Sequence, residues 1–284
     1  MALERNMAQL EAYKQQQTSE QQNLKEKMGK ITYKIAIISG KGGVGKSTVT
    51  VNLATSFAMQ GKRVGVLDAD IHGPSVPRLL GLEGQQAKAS QTGLSPVEGP
   101  LGMKVMSIDF FLPEQAPTIW RGPLKMRAIR QFLSDVDWGE LDFLFIDLPP
   151  GTGDEPLSIA QLLPDIDGVV IVTMPSELSS SIVKKAITFA ERLNMPIIGV
   201  VENMSGFICP HCKERIEIFR SGGGKKMAQE MGVTFLGSIP IDPEVGVDSD
   251  EGTPFVYSHK DSAAAKAFVE IVKNVESYLK KKQK

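Results

Sequence analysis

The sequence predicts an α/β protein: a doubly wound, mostly parallel sheet flanked by helices. Two observations carry that expectation. Short β-rich runs alternate with helix-period segments from Ile31 to the end of the chain, the order that builds a parallel sheet covered by helices on both faces. The β-rich runs are also apolar throughout rather than alternating, as strands buried on both faces are. In chain order the expected strands are Lys34–Ser39, Arg63–Asp68, Lys104–Ile108, Leu141–Leu148, Gly168–Thr173, Ile197–Glu202 and Phe235–Ile239. Between and after them, helical periodicity marks Lys46–Gln60, Lys125–Ser134, Leu157–Leu163, Ser179–Leu193, Gly224–Met231 and Ser262–Lys280. Residues 82–100, rich in Gly, Gln and Ser, read as a flexible surface loop. Residues 1–30 are polar and Gln-rich and read as an extension, helical or disordered, ahead of a single domain over 31–284.

Composition narrows the function. With 32 Lys plus Arg against 33 Asp plus Glu, the net charge is −1. That balance argues against the broad basic surface of a sequence-independent nucleic-acid binder. No apolar run approaches the ~20 residues that cross a bilayer, and the polar start lacks the apolar core of a secretory signal. The expectation is a cytoplasmic protein that binds neither nucleic acid nor membrane. An apolar stripe near the C-terminus (Phe268, Ile271, Val272, Val275 and Leu279) has the spacing of a helix packed on a sheet; a membrane-binding helix is the alternative.

The chemistry concentrates at three places. The run Gly40-Lys41-Gly42-Gly43-Val44-Gly45-Lys46-Ser47-Thr48 joins the first strand to the first helix. This spacing and context are those of a phosphate-binding P-loop, in which backbone N–H groups and a helix N-terminus face the anion. Lys46 is placed to reach the β- and γ-phosphates and Ser47 to offer a hydroxyl to Mg²⁺. Two strands end in carboxylates, at Asp68 with Asp70 just beyond, and at Asp147. Open α/β sheets bind ligands at this edge, and Asp147 closes an apolar strand of the Walker B form, suited to holding Mg²⁺.

The third place is Cys209-Pro210-His211-Cys212, which holds the chain's two cysteines. Its spacing suits a redox pair, half of a zinc site, or half of a four-thiolate site shared by two chains on a two-fold axis. The sequence around Pro210 does not build the helix that lowers the pKa of a redox cysteine, and one chain lacks a second ligand pair for zinc.

Together these stretches resemble the Mrp/ApbC-type iron–sulfur cluster carriers, P-loop ATPases with the deviant Walker A motif of the MinD/ParA/NifH superfamily. The matching segments are Gly40–Thr48, Asp68–Pro77, Trp120–Pro123, Asp147–Asp154 and Glu202–Ser205 leading into Cys209 and Cys212. The resemblance implies a homodimer that binds ATP and Mg²⁺ and bridges a [4Fe–4S] cluster through Cys209 and Cys212 of both chains. It also implies that Lys41 enters the partner's site and acts on the transferring phosphoryl group alongside Lys46. By the same resemblance Asp70 orients the attacking water, Asp68 supports metal and nucleotide, and Asn203 contacts adenine. The partners it implies are apo iron–sulfur proteins and cluster scaffold proteins. Met174, Ser176 and Arg220 depart from the residues usual in that family. A positioning ATPase of the MinD/ParA kind and a zinc-bridged regulatory ATPase are the competing readings.

Overall fold

The computed structural model describes residues 21–90, 93–112, 122–163, 165–175, 177–209, 211–212, 214–219 and 221–282. Ser176, Arg220 and the Trp120–Arg121 part of the resemblance lie outside them. The first element is a helix over residues 21–29, α1. It is part of the domain: Met28 is buried in the core, and the Lys27 ammonium donates to Asp135 O at 2.9 Å and Asp137 Oδ1 at 3.0 Å.

The main sheet is built from β1 (Ile31–Ile38), β2 (Val64–Asp68), β5 (Val97–Glu98), β6 (Lys104–Met106), β7 (Leu141–Asp147), β8 (Gly168–Thr173), β9 (Ile197–Glu202) and β12 (Phe235–Ser238). Their spatial order is β12-β9-β8-β1-β7-β2-β6-β5, parallel throughout except at the β5–β6 edge. Residues 82–100 differ from the flexible loop expected. Lys88–Ala89 (β3) pairs with Leu94–Ser95 (β4), β5 extends the sheet, and Leu82 and Val97 are buried. Their polar composition hid these contacts because each strand is two residues long and shows no periodicity.

The helices are α2 (Lys46–Met59), α3 (Val76–Leu79), α4 (Gly122–Ser134), α5 (Asp154–Ala160), α6 (Glu177–Arg192), α7 (Gly223–Glu230), α8 (Glu244–Glu251), α9 (Phe255–Ser258) and α10 (Ala263–Lys282). Helix α5 begins three residues before its expected start because Pro156 sits in its first turn, where a missing N–H costs nothing, and Asp154 and Glu155 favour the N-terminal dipole. Helix α2 is buried on almost every side, between the sheet and the pair α9 and α10. Asn52 ties this sandwich together: its Nδ2 donates to Thr48 O at 2.9 Å, and its Oδ1 accepts the Val256 N–H at 3.0 Å. Phe57 of α2 packs on Phe143 of β7, with ring centroids 4.3 Å apart.

The stripe Phe268, Ile271, Val272, Val275 and Leu279 is buried against the sheet and α2. The face of α10 that would have entered a membrane is therefore core. Gly237 of β12 leaves room for Ile271, whose Cγ1 lies 2.8 Å from where a Cβ would stand. Ile271→Ala is expected to destabilise the domain by ~2–4 kcal/mol, measured by urea unfolding, because a rigid contact on both sides leaves a cavity.

Candidate functional site

The register of the central strands assembles the site. β7 pairs with β1 and β2, setting Asp147 beside Ile37 on one side and beside Asp68 on the other. Both carboxylates therefore emerge at the carboxyl edge of the sheet, below the loop that leaves β1. In that loop Gly45 adopts φ +76° at the start of α2, and an added Cβ would stand 2.3 Å from Asn203 Nδ2. Glycine is needed there for both backbone and space. Gly40 serves a different purpose, since a Cβ would lie 2.3 Å from Ile182 Cγ2 of α6.

Asp147 is fully buried and makes three contacts with the start of α2. It accepts from Ser47 Oγ at 2.5 Å and Thr50 Oγ1 at 2.6 Å, and pairs with Lys46 Nζ at 2.7 Å. Thr50 was not singled out from sequence, although it follows Ser47 by about one helical turn and so faces the same strand end. Asp68, also buried, accepts the N–H groups of Ser75 at 3.1 Å, Val76 at 3.2 Å and Asp70 at 3.2 Å, with Ser107 Oγ at 3.4 Å. Burial first, and then the adjacent Asp147, push the Asp68 carboxyl from 3.8 up to about 8, with Lys46 opposing the shift.

A cavity of ≈ 310 Å³ lies over the loop, lined by Lys41, Gly42, Gly43, Val44, Lys46, Ser47, Thr48, Asp70, Gly73 and Pro150 among others. Every P-loop position from Lys41 to Thr48 reaches this cavity, while Gly40 is held behind it against α6. Asp70 is half-buried on the rim, and its Oδ1 accepts the Gly73 N–H at 3.2 Å. The loop after β2 and the first turn of α5, which follows β7, are tied together by Lys125 of α4, a residue the sequence did not flag. Its ammonium contacts His72 Nε2 and pairs with Glu155 Oε1 at 3.1 Å.

A second, mostly apolar cavity of ≈ 310 Å³ adjoins the first, sharing Gly45 and Thr48. Asn203 and Met204 line it, with Phe219, Pro240, Ile241 and Phe268. Asn203 Nδ2 donates to Val44 O at 2.9 Å, so this side chain braces the P-loop and borders the second cavity together.

The cysteines sit in the loop of a hairpin, β10 (Phe207–Ile208) with β11 (Arg215–Ile216), where Cys209 N–H donates to Glu214 O at 2.9 Å. Cys209 is half-buried and Cys212 exposed. Neither starts a helix, so the arrangement that activates a redox Cys-x-x-Cys pair is not the one found here. Among the described residues no group of three or more His, Cys, Asp or Glu could hold a metal ion. Exposed Ile208, Ile216, Ile218 and Phe219 belong to the hairpin and the residues just after it.

Both ends of this excursion are fastened by Glu202, fully buried at the end of β9. Its carboxylate accepts from Ser205 Oγ at 2.6 Å, Gly222 N at 3.0 Å and Gly224 N at 2.5 Å, the last two at the start of α7. A buried carboxylate at a helix N-terminus is satisfied by those amides and by the dipole. No local sequence signal announces this role, because two of its three partners, Gly222 and Gly224, stand 20 and 22 residues downstream.

A fold with this strand order and loop defines a P-loop NTPase of the MinD/ParA type. The chain matches over residues 30–276 the family described as ParA, NUBPL iron-transfer P-loop NTPase. It is 56% identical over 250 residues to the iron–sulfur cluster carrier protein of Saccharolobus solfataricus, covering 88% of this chain and 84% of that one. It is also 56% identical over 253 residues to the protein of the same name from Methanocaldococcus jannaschii, covering 89% and 87%. Among solved structures, a nucleotide-binding protein from Archaeoglobus fulgidus in complex with ADP, with cobalt found by PIXE, is 48% identical. It superposes with a TM-score of 0.75 over 83% of this chain and 93% of that chain. The MinD cell division protein of Aquifex aeolicus shares the fold at TM-score 0.60 and 20% identity, over 86% and 97% of the two chains. The chain belongs to the NUBPL/ParA family of iron-transfer P-loop NTPases, the deviant Walker A group that includes the Mrp/ApbC-type cluster carriers.

The shifted Asp68 carboxyl has a consequence for stability. Its folded value, about 8, lies above its ordinary 3.8, so the folded chain holds a proton that the unfolded chain releases. Stability from this group is present below the ordinary value and declines as pH rises from there through about 8. With chelator and without nucleotide, the unfolding midpoint is expected to fall by about 5–10 °C between pH 5 and 9. Asp68→Asn should remove most of that fall, and equal slopes in the two proteins would assign it elsewhere.

Proposed function

We propose that this protein is an ATP-hydrolysing iron–sulfur cluster carrier that holds a [4Fe–4S] cluster between two copies of the chain and delivers it to apoproteins. The observation that carries the reading is the cysteine hairpin. One chain offers two thiols on one loop and, among the described residues, no group of three or more side chains that could hold a metal ion, with apolar Ile208, Ile216 and Ile218 exposed on the same segment. Two copies meeting there supply four thiolates, the ligand number of such a cluster, and cover the apolar side chains. The likeness to the named cluster carriers of archaea and to the ADP-bound A. fulgidus protein supports the same reading.

Within each site the backbone amides of Gly42 to Ser47 and the Lys46 ammonium receive the phosphates. Ser47 and Asp147 fit Mg²⁺, since a hydroxyl and a carboxylate already meet there at 2.5 Å. The buried Asp68 lies beside them, its carboxyl pushed up to about 8 by burial and Asp147, and a bound cation would favour loss of its proton. When bound, Mg²⁺ supplies charge neutralisation to the phosphate oxygens. Asp70 orients water at the γ-phosphorus; as the new P–O bond forms, the bond to the β-phosphate oxygen breaks and ADP takes its electron pair. Lys41 is half-buried on the rim of the cavity, and its ammonium makes no ion pair among the described residues. In the dimer it reaches the partner's γ-phosphate and stabilises the charge that develops there.

Anaerobic reconstitution with iron and sulfide tests the carrier reading. The expected product is a dimer with a [4Fe–4S] absorption band, lost when Cys209 and Cys212 are both replaced by serine. Zinc without sulfide in protein purified under anaerobic conditions would favour the zinc-bridged alternative. Lys41→Ala is expected to lower kcat for ATP hydrolysis by about 10³-fold, the lower end of the range for an arginine finger, with ADP affinity within about threefold. A kcat within twofold of the parent would remove Lys41 from the reaction.

A further inference from the structure

Phe219 is a large aromatic side chain left 45% exposed, and it lines the apolar cavity beside the P-loop. It lies three residues beyond β11, on the same excursion that carries Cys209 and Cys212. Another part of that cavity's lining is joined to the excursion as well. Ile241, which lines the cavity, donates its N–H to Gly206 O at 2.7 Å and bridges Phe207, two residues before Cys209. Ser205 donates its N–H to Ile239 O at 2.8 Å. The β10–β11 hairpin itself has only two residue pairs, and a two-stranded ribbon that short has little stability of its own. With both ends of the excursion held by Glu202, the position of its middle depends on what it packs against: the 239–241 wall and whatever covers Phe219.

We propose that the base of a bound nucleotide stacks on Phe219 and thereby fixes the position of the cysteine hairpin. Base occupancy, rather than phosphate occupancy, then sets how the thiols are presented. The proposal rests on the nucleotide-binding part of the function above and names its regulation. The occupant follows from continuity: phosphates seated on the loop at Gly45 and Thr48 leave the rest of the ligand beside a mostly apolar space that shares those two residues. An aromatic ring at its edge matches a π-face of any base. Thiols and phosphates lie on different elements, and Phe219 supplies a contact by which one site senses the other.

The test uses the full chain without cluster, with ADP and inorganic tripolyphosphate as probes, the second carrying phosphates but no base. Phe219→Ala is expected to weaken ADP about 5- to 100-fold, the range of one lost base–aromatic stack, and to leave tripolyphosphate affinity within twofold. Phe219→Trp should keep ADP affinity within about threefold, which shows that the position tolerates replacement and that the aromatic face matters. In hydrogen exchange, ADP should protect both residues 40–48 and residues 207–219, whereas tripolyphosphate protects only 40–48. In Phe219→Ala saturated with ADP, protection of 207–219 should be lost and that of 40–48 kept. ADP affinity unchanged in Phe219→Ala, or equal protection of the hairpin by tripolyphosphate, would overturn the proposal. Failure to load iron and sulfide would count against the carrier reading and leave this result standing, because no readout uses the cluster. Failure of the parent chain to bind ADP would overturn both.

Discussion

The pairing of β2 with β7, which sets Asp68 directly beside Asp147 at the carboxyl edge of the sheet, is the constraint around which the site is built. Two buried carboxylates in adjacent strands repel, and burial already disfavours their charge. The structure answers with one lysine, three hydroxyls and three backbone N–H groups, all aimed at this pair. The start of α2 and the turn into α3 are placed where those donors must stand. Even with those donors, burial and the neighbouring Asp147 push the Asp68 carboxyl up to about 8.

A second anchor organises the other half of the molecule. Glu202, at the end of β9, gathers Ser205, Gly222 and Gly224, so a long excursion leaves the sheet and returns to one point. The next residue, Asn203, braces the P-loop through Val44 O. Phosphate cradle and cysteine hairpin thus share neighbouring residues of one strand end. That proximity gives a physical basis for coupling two chemistries that have no side chain in common.

Much of this was legible along the chain. The strand–loop–helix at Gly40–Thr48, the carboxylate-terminated strands and the helical stripe of α10 stand close to where local pattern puts them, because each depends on neighbours within a few residues. Helix α5 and the 82–100 region depart from the local pattern for local reasons: helical periodicity marks α5 only from Leu157, beyond its polar and proline-bearing first turn, and two-residue strands have no period to detect. The cysteine pair was visible, but its setting in a hairpin rather than at a helix start depends on pairing with Arg215–Ile216 and with Ile241.

By itself the sequence determined the fold class, the phosphate loop and the shortage of metal ligands in a single chain, since glycine spacing, hydrophobic period and residue counts are local or additive. Only the tertiary structure decided that Asp68 lies against Asp147, that Lys125 joins the loop after β2 to the start of α5, and that Phe219 comes to the cavity beside the P-loop. Those facts follow from strand register and from chain segments far apart in sequence, whose contacts are set by packing over the whole sheet and leave no mark in any short stretch of residues.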